Sequence, residues 1–386
     1  MSDNKVKIGD YVKQPGGFNA FIPCAFPPKP EIEISQKIMA LQSNALLLLG
    51  KLNGITKLLP DKDCFLKMFI RKDASSSSQI EGTNATIMDA IEKENIEPGS
   101  YLPPDVDDIL HYIQALNYGM ERSKTFPISL RFVRELHKEL MIGARKTQFA
   151  YPGEFRITQN WIGGTKPDNA RFVPPPPENM KKALYDLENF MCKDNSYLPL
   201  IKAGLLHAQF ETIHPFNDGN GRTGRMLITM FLLANGLIEV PVLYLSSFFK
   251  KHQKVYYEKL NGYHNGEISD WLEFFLDGII ETAQSAIDTC DGIIRLREYN
   301  SKQIQKLNRT ASESTMKVIE NLYKIPIVGI ADVLKWSELS KPNAYKLIKR
   351  LEAIGVLYPV KQGDNVYGQK WGYRDYLRLF ETVAEN

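Results

Sequence analysis

A run of twelve residues, His214-Pro-Phe-Asn-Asp-Gly-Asn-Gly-Arg-Thr-Gly-Arg225, separates two strongly apolar stretches. Leu198 to Ile213 precedes it and Met226 to Ile238 follows it. Both read as buried helices, and Asn235-Gly236 marks the stop of the second. Local choice is therefore narrow. Two helices must pack into a core, with a polar, glycine-rich loop running between them and opening the second. Gly219, Asn220 and Gly221 let successive backbone N–H groups point one way. Together with the unpaired N–H groups of a helix N-terminus, they form an anion cradle.

The charged residues of the run fit the same purpose. Arg222 and Arg225 are three apart and share a face of the first helical turn. A cation at a helix N-terminus is disfavoured by about 0.3–1 kcal/mol. Two of them at a buried helix start therefore point to a bound polyanion, which the planar guanidinium grips in pairs of oxygens. Asp218 supplies a carboxylate beside the cradle, and magnesium is commonly held by one or two carboxylates plus substrate phosphates. His214 is the one group of the run able to take a proton near neutral pH. Phe216 reads as an apolar anchor for the loop.

The run resembles the Fic family signature, His-x-Phe-x-Asp/Glu-Gly-Asn-Gly-Arg-x-x-Arg, at every fixed position. The resemblance implies an all-helical core and transfer of AMP from ATP to a protein hydroxyl. It implies that His214 deprotonates the target hydroxyl and that Asp218 holds magnesium. Asn220 and the backbone of Gly219 and Gly221 would hold the transferring phosphate. Arg222 and Arg225 would hold the outer phosphates, with Thr223 and Gly224 completing the phosphate-binding stretch.

Upstream, Arg71 to Thr83 reads Arg-Lys-Asp-Ala-Ser-Ser-Ser-Ser-Gln-Ile-Glu-Gly-Thr. A helix is expected from about Asp63, with Gly82 as its stop. Ser77 and Glu81 are four apart, hence on one face. Glu81 falls in the last turn, where the helix dipole opposes its charge and a distant cation would relieve it. Ser77-x-x-x-Glu81-Gly82 resembles the inhibitory motif of Fic proteins that carry it before the core. That resemblance implies a pairing of Glu81 with Arg225 that blocks the γ-phosphate.

Gly153-Glu-Phe-Arg156, Gln159-Asn-Trp-Ile-Gly-Gly164 and Phe172-Val-Pro-Pro-Pro-Pro177 resemble the same family's flap. Gly163-Gly164 suits a hairpin turn, and the prolines suit a stiff strap. Ile162, Gly163 and Gly164 would then align a target backbone by strand addition. Tyr256 and Tyr257 are candidates for an adenine pocket, with core packing as their other reading.

With 386 residues the chain exceeds one typical domain, and its net charge of +3 is nearly balanced. That balance argues against a global nucleic-acid or membrane role. Cys24, Cys64, Cys192 and Cys290 show no CxxC spacing and fit reduced thiols. The N-terminus carries no signal-like apolar stretch, and a cytoplasmic protein is expected. Met226 to Leu245, the most apolar window, contains Glu239 and Pro241 and reads as core, not as a membrane span.

The expected organisation is mostly α. Residues 1–100 form an extended arm and a helical region with the inhibitory helix. Residues 101–290 form the Fic core with a short β-hairpin flap, and 291–312 a charged helical connector. Residues 313–386 form a small α+β domain. There, helices near Met316–Leu322, Ile330–Leu334 and Pro342–Ile354, then strands at 355–360 and 363–368, follow winged-helix order. Lys341, Lys346, Lys349 and Arg350 lend only a modest basic tint, so weak nucleic-acid binding or none is expected.

The reading is an autoinhibited protein adenylyltransferase. It would use ATP and Mg2+ on a Ser, Thr or Tyr hydroxyl of a protein, itself included, and a homodimer is compatible. Use of another nucleotide, removal of AMP, and a nucleotide-sensing DNA-binding regulator stay open as alternatives. A Gly-x-x-x-x-Gly-Lys-Ser/Thr loop is missing, which argues against an ordinary P-loop kinase.

Overall fold

The computed structural model describes residues 6–29, 31–59, 62–94, 105–143, 151–193, 196–306, 309–360 and 369–380. At its centre lies the Pro199–Ile213 helix, entered through Leu198 with a proline in its first turn. Every residue from Leu200 to Phe210 is buried. A helix that is apolar on all sides needs neighbours on all sides. It has them in Pro177–Lys193, Asn220–Ala234, Gln253–His264 and Ile268–Gln305. The Asn220–Ala234 helix then packs against Lys62–Ile80, Val106–Ser123 and Leu130–Met141. It begins at the glycine loop, six residues ahead of its apolar stretch, and stops at Asn235 with Gly236 at φ 67°. The run His214–Arg225 is thus held between two helices of the core.

Ile268–Gln305 is one helix of 38 residues, about 57 Å long at 1.5 Å per residue. Trp271, Leu272, Phe275, Leu276, Ile279, Ala283, Ala286, Cys290 and Ile293 form its buried stripe, much of it laid along the Gln36–Thr56 helix. The apolar spacing continues unbroken through residue 290. The expected core and connector are therefore one rod, because no helix-stopping pattern separates them. On Gln36–Thr56 the buried set is Ile38, Gln42, Ala45, Leu48, Leu49, Leu52 and Thr56, whereas Leu46 points outward.

Residues 6–29 do not lie as a plain arm. Gly9–Lys13 and Asn19–Pro23 pair antiparallel, with Tyr11 opposite Phe21. Phe21 is buried, and its N–H donates to Val173 O at 2.9 Å, seating the hairpin on the proline strap. The expected flap hairpin is reduced to a single bridge, Ile162 to Phe172. Gly163 and Gly164 turn the chain with φ of 70° and 73°, a region closed to most side chains.

After the long helix come Arg309–Leu322, strand Ile327–Gly329, helices Ile330–Ser337 and Lys341–Ala353, then strands Tyr358–Val360 and Lys370–Gly372. Lys370–Gly372 lies between the other two strands, antiparallel to both. This is an α+β region. Its first strand was not expected, and the strand expected at 363–368 lies outside the described residues. Among the described residues, no helix is long and apolar enough to cross a membrane.

Candidate active site

The last turn of the Pro199–Ile213 helix ends on His214, whose backbone adopts the left-handed conformation, φ 48° and ψ 61°. That region costs a non-glycine residue energy and persists only where its surroundings enforce it. Here Arg156 enforces it. The guanidinium is buried and donates to His214 O at 2.9 Å, Pro175 O at 2.6 Å, Thr158 O at 3.0 Å and Ile213 O at 3.3 Å. A cation at the helix C-terminus also satisfies the helix dipole. Burial away from any carboxylate lowers the Arg156 pKa to about 10. Asn160 adds donations to His214 O at 3.3 Å and Phe216 O at 3.0 Å.

The rest of the loop is closed from within. The Asn220 side chain accepts from Phe216 N–H and donates to Phe216 O, both at 2.8 Å. His137 stacks on Phe216 with centroids 3.7 Å apart and planes 2° apart. Gly153 N–H donates to His137 Nδ1 at 2.9 Å, so Nε2 carries the proton that goes to Asp218 O at 3.0 Å. Burial lowers the His137 pKa to about 4, and the ring stays neutral in that role.

Gly219, at φ 77°, caps the next helix without a side chain. The first helical bond runs from Thr223 N–H to Gly219 O. The N–H groups of Asn220, Gly221 and Arg222 therefore have no intrahelical acceptor. Asn220 and Gly221 line a cavity of about 310 Å³ whose walls also include Glu81, His214, Asp218, Arg225 and Tyr257. Glu81 enters it from the end of the Lys62–Ile80 helix, where Gly82 reverses the chain at φ 90°. A Cβ on Gly221 would collide with the Glu81 carboxylate, so that carboxylate sits against the cradle itself.

Arg225 joins the two segments. Its Nη2 donates to Glu81 Oε1 at 2.7 Å and to Ser77 O at 3.0 Å, and its Nε donates to Ser77 Oγ at 2.9 Å. Burial works against the Glu81 charge, but Arg225 outweighs it and holds the carboxyl below its ordinary range. Burial likewise opposes the Arg225 charge, and Glu81 reverses that and raises its pKa. Behind them Tyr112 donates to Asp73 Oδ2 at 2.7 Å, bracing the same helix from its buried side.

Other residues singled out in the sequence fall in different places. Arg222 does not share the cavity with Arg225. Its side chain lies against Met141 Sδ at 3.8 Å and Asp218 Oδ1 at 3.9 Å. Thr223 is fully buried, and Gly224 packs against Glu211 and Phe210, so both face the core. The Asn220 amide is spent on Phe216, leaving its backbone N–H for an anion. Tyr256 lines the cavity but is buried, with its hydroxyl 2.8 Å from His207 Nε2. Tyr257 faces Arg171 at 5.5 Å across the cavity wall. Ile162 and Gly163 line the cavity, and Gly164 packs against Asn169.

Asp218 is 38 % exposed, and its Oδ1 accepts from Gly219 N–H at 2.7 Å. No group of three His, Cys, Asp or Glu residues able to hold a metal occurs among the described residues. One open carboxylate at a phosphate cradle nonetheless fits a magnesium ion whose other ligands are phosphate and water.

Burial, then Arg156, lower the His214 pKa to about 4, against the opposing effects of Glu81, the Glu211 backbone and Asp218. A base so weak in the resting site gains strength when a neighbouring anion offsets its burial. Sequence reasoning passed over His137 and Glu211 and took Arg156 only as part of the flap. Glu211 had a signal, a carboxylate one turn before His214 on the same helix.

Fold and site together define a helical protein built around an anion cradle with a histidine at its mouth. Residues 127–232 match the model of the Fic/DOC family, and residues 39–121 match the model of that family's N-terminal region. It is 28% identical over 192 residues to a probable protein adenylyltransferase of Aquifex aeolicus, covering 49% of this chain and 54% of that one. It is 30% identical over 152 residues to the protein adenylyltransferase Fic of Culex quinquefasciatus, covering 39% and 27%. The chain thus spans about half the length of the first relative and about a quarter of the second. A solved Fic family protein from Desulfovibrio desulfuricans shares the fold with a TM-score of 0.59 at 17% identity, over 89% of this chain and 98% of that one.

Proposed function

We propose that the chain is a protein adenylyltransferase, restrained by its own Glu81, that moves AMP from ATP to a hydroxyl of a target protein. The relatives' names support the activity. The observation that carries the reading is the shared cavity: His214 at one side, the free N–H groups of Asn220 and Gly221 at its floor, and Arg225 beyond them. An α-phosphate seated on those N–H groups lies beside His214. The target hydroxyl oxygen then attacks phosphorus, pyrophosphate leaves, and the hydroxyl proton passes to the histidine. Asp218 would hold a magnesium ion that neutralises phosphate charge when the nucleotide is bound. The edge of Ile162 and Gly163 fits an extended target segment.

Restraint follows from occupancy. In this reading the carboxylate against Gly221 and Arg225 stands where the outer phosphates of ATP belong. ATP can enter only with its phosphates turned out of line, and misplacement of that size costs on the order of 100-fold in rate. The test uses the full chain carrying Glu81→Gly, incubated with α-labelled or γ-labelled ATP, magnesium and candidate target protein. Protein-bound label from the α position alone is expected. Label from the γ position would make the protein a phosphate-transferring kinase, and no label from either would remove the transferase reading.

A further inference from the structure

Glu211 lies one turn before His214 on the Pro199–Ile213 helix, and its side chain is 11% exposed. Its Oε2 stands 3.8 Å from His214 Nδ1. Glu211 Oε1, beside Gly224, and His214 Nδ1 are both buried and meet hydrogen-bond geometry with no described residue; the Glu211 backbone carbonyl lies near the ring and favours its protonation. Two unsatisfied polar atoms on facing side chains are costly and call for an explanation. A shift of about 1 Å would bring the carboxylate to hydrogen-bonding distance of the ring.

The chemistry supplies the explanation. A histidine that takes a proton through Nε2 must hold its own proton on Nδ1, and that proton needs an acceptor. Once the ring accepts a second proton it becomes a cation, with Arg156 already nearby. A carboxylate at Nδ1 answers both needs. We propose that Glu211 is the positioning residue of this site: its ionised carboxylate holds His214 in the Nδ1–H tautomer and stabilises the imidazolium formed as the target hydroxyl is deprotonated. The proposal rests on His214 acting as the base. No proton passes to Glu211 in the step; it moves from the hydroxyl to Nε2, and Nδ1–H stays in place.

Protonation of Glu211 would invert the arrangement. Its O–H would donate to Nδ1, leaving the proton of the neutral ring on Nε2 and the base blocked. Burial raises the Glu211 pKa to about 7, with Arg225 opposing and Glu81 adding to the rise. The groups facing the pair are Arg225 on the next helix, Glu81 on the restraining helix, Tyr256 on Gln253–His264, Arg156 behind His214, and Asp218 in the loop. His207 lies one turn earlier on the same helix, buried and with its pKa lowered to about 3.

Two measurements on the full chain test this. The first follows the ring nitrogens of His214 by NMR of 15N-histidine-labelled protein, assigned with His214→Ala. The wild-type chain is expected to show the Nδ1–H tautomer and a step in the His214 shifts near pH 7 as Glu211 ionises. Glu211→Gln should abolish that step, and Glu211→Asp should keep one. The second measures AMP transfer against pH in the Glu81→Gly chain. There Glu211→Gln should lower kcat by about 10- to 100-fold with KM for ATP unchanged, and move the acid limb down by about one pH unit. An unchanged tautomer, step and acid limb in Glu211→Gln would mean that the Glu211 backbone carbonyl holds Nδ1–H, and the proposal is overturned. A Glu81→Gly chain that transfers no AMP would sink the adenylyltransferase reading, while the NMR titration would still decide the role of Glu211.

Discussion

The loop His214–Arg225 and the segment Ser77–Gly82 meet at Arg225, yet they are held in opposite ways. The loop is fastened at many points. Arg156 takes four carbonyls, Asn160 two, the Asn220 side chain closes on both ends of the Phe216 peptide, and His137 bridges Asp218 to Gly153. On the cavity side, the end of the Lys62–Ile80 helix is held by far fewer groups, the Arg225 guanidinium and the Gln253 side chain, which donates to Ile80 O at 3.0 Å. Glu81 itself remains 39% exposed. Phosphate chemistry in a fixed cradle needs groups that do not move. A restraint that ATP must displace needs the reverse, a contact strong enough to favour the closed site and small enough to yield. If Glu81 restrains the site as proposed, rigidity and release are assigned to different segments that share Arg225.

The largest expected effect lies in the loop. His214→Ala, placed in the Glu81→Gly chain, should lower AMP transfer by about 10²- to 10⁴-fold while ATP still binds. Activity within about threefold of the parent would show that the loop supplies no base. Next comes the fastening of the loop. Arg156→Ala leaves four carbonyls of a buried turn without their donor. Unpaired buried acceptors cost about 1–3 kcal/mol each, and relaxation recovers part of that, so a loss of about 3 kcal/mol is expected in urea unfolding. Arg156→Lys should recover little, because an ammonium cannot span the same carbonyls. An Arg156→Ala chain of unchanged stability would mean that the loop keeps its shape without this residue, and the contrast between the two segments would fail.

How much of this could be read beforehand depends on the range of the interaction. The two helices around the loop, the stop at Asn235-Gly236 and the stop at Gly82 follow from spacing of a few residues, and the structure has them. The Glu81–Arg225 pair spans 144 residues, and it was expected only through likeness to a known motif. Arg156 and His137 carried no local sign of their role. Their partners in the loop lie 57 and 58 residues away for Arg156 and 81 for His137, and nothing in Gly-Glu-Phe-Arg distinguishes a structural arginine from a surface one. Arg222 and Arg225 part in the resting structure for a related reason. Residues three apart share a face of a helix, but Met141 and Asp218 draw the Arg222 side chain aside while Ser77 and Glu81 hold Arg225 in the cavity. Position on a face limits where a long side chain starts, and its neighbours decide where it ends.

The restraint gives the next effect in size. Glu81→Gly removes the carboxylate from the cradle and leaves the loop untouched, so AMP transfer should rise by at least about tenfold at matched ATP and magnesium. Arg225→Ala should not mimic it, since that change also removes a phosphate ligand. Equal activities of Glu81→Gly and the parent chain would show that the ion pair is structural and does not gate the site.

The smallest effect separates the two halves of the restraint. Arg225 makes three contacts with the Lys62–Ile80 helix and its end, and Ser77 Oγ is one of them, accepting from Nε at 2.9 Å. Ser77→Ala deletes that acceptor but keeps the Ser77 carbonyl and the Glu81 carboxylate, both of which accept from Nη2. One hydrogen bond to a charged group is worth about 1.5–3 kcal/mol when its partner is left dry, and less when water replaces it. Ser77 is fully buried, but Nη2 keeps its bonds to the Ser77 carbonyl and to Glu81, so the guanidinium stays anchored and only part of that figure reaches the gate. A rise in AMP transfer of about threefold is expected, well short of Glu81→Gly, and adding Ser77→Ala to Glu81→Gly should change little because the gate is already open. If Ser77→Ala alone releases as much activity as Glu81→Gly, the helix is held by its serine and not by its carboxylate. Release would then come from movement of the helix as a whole, and occupation of the cradle by Glu81 would cease to be its cause.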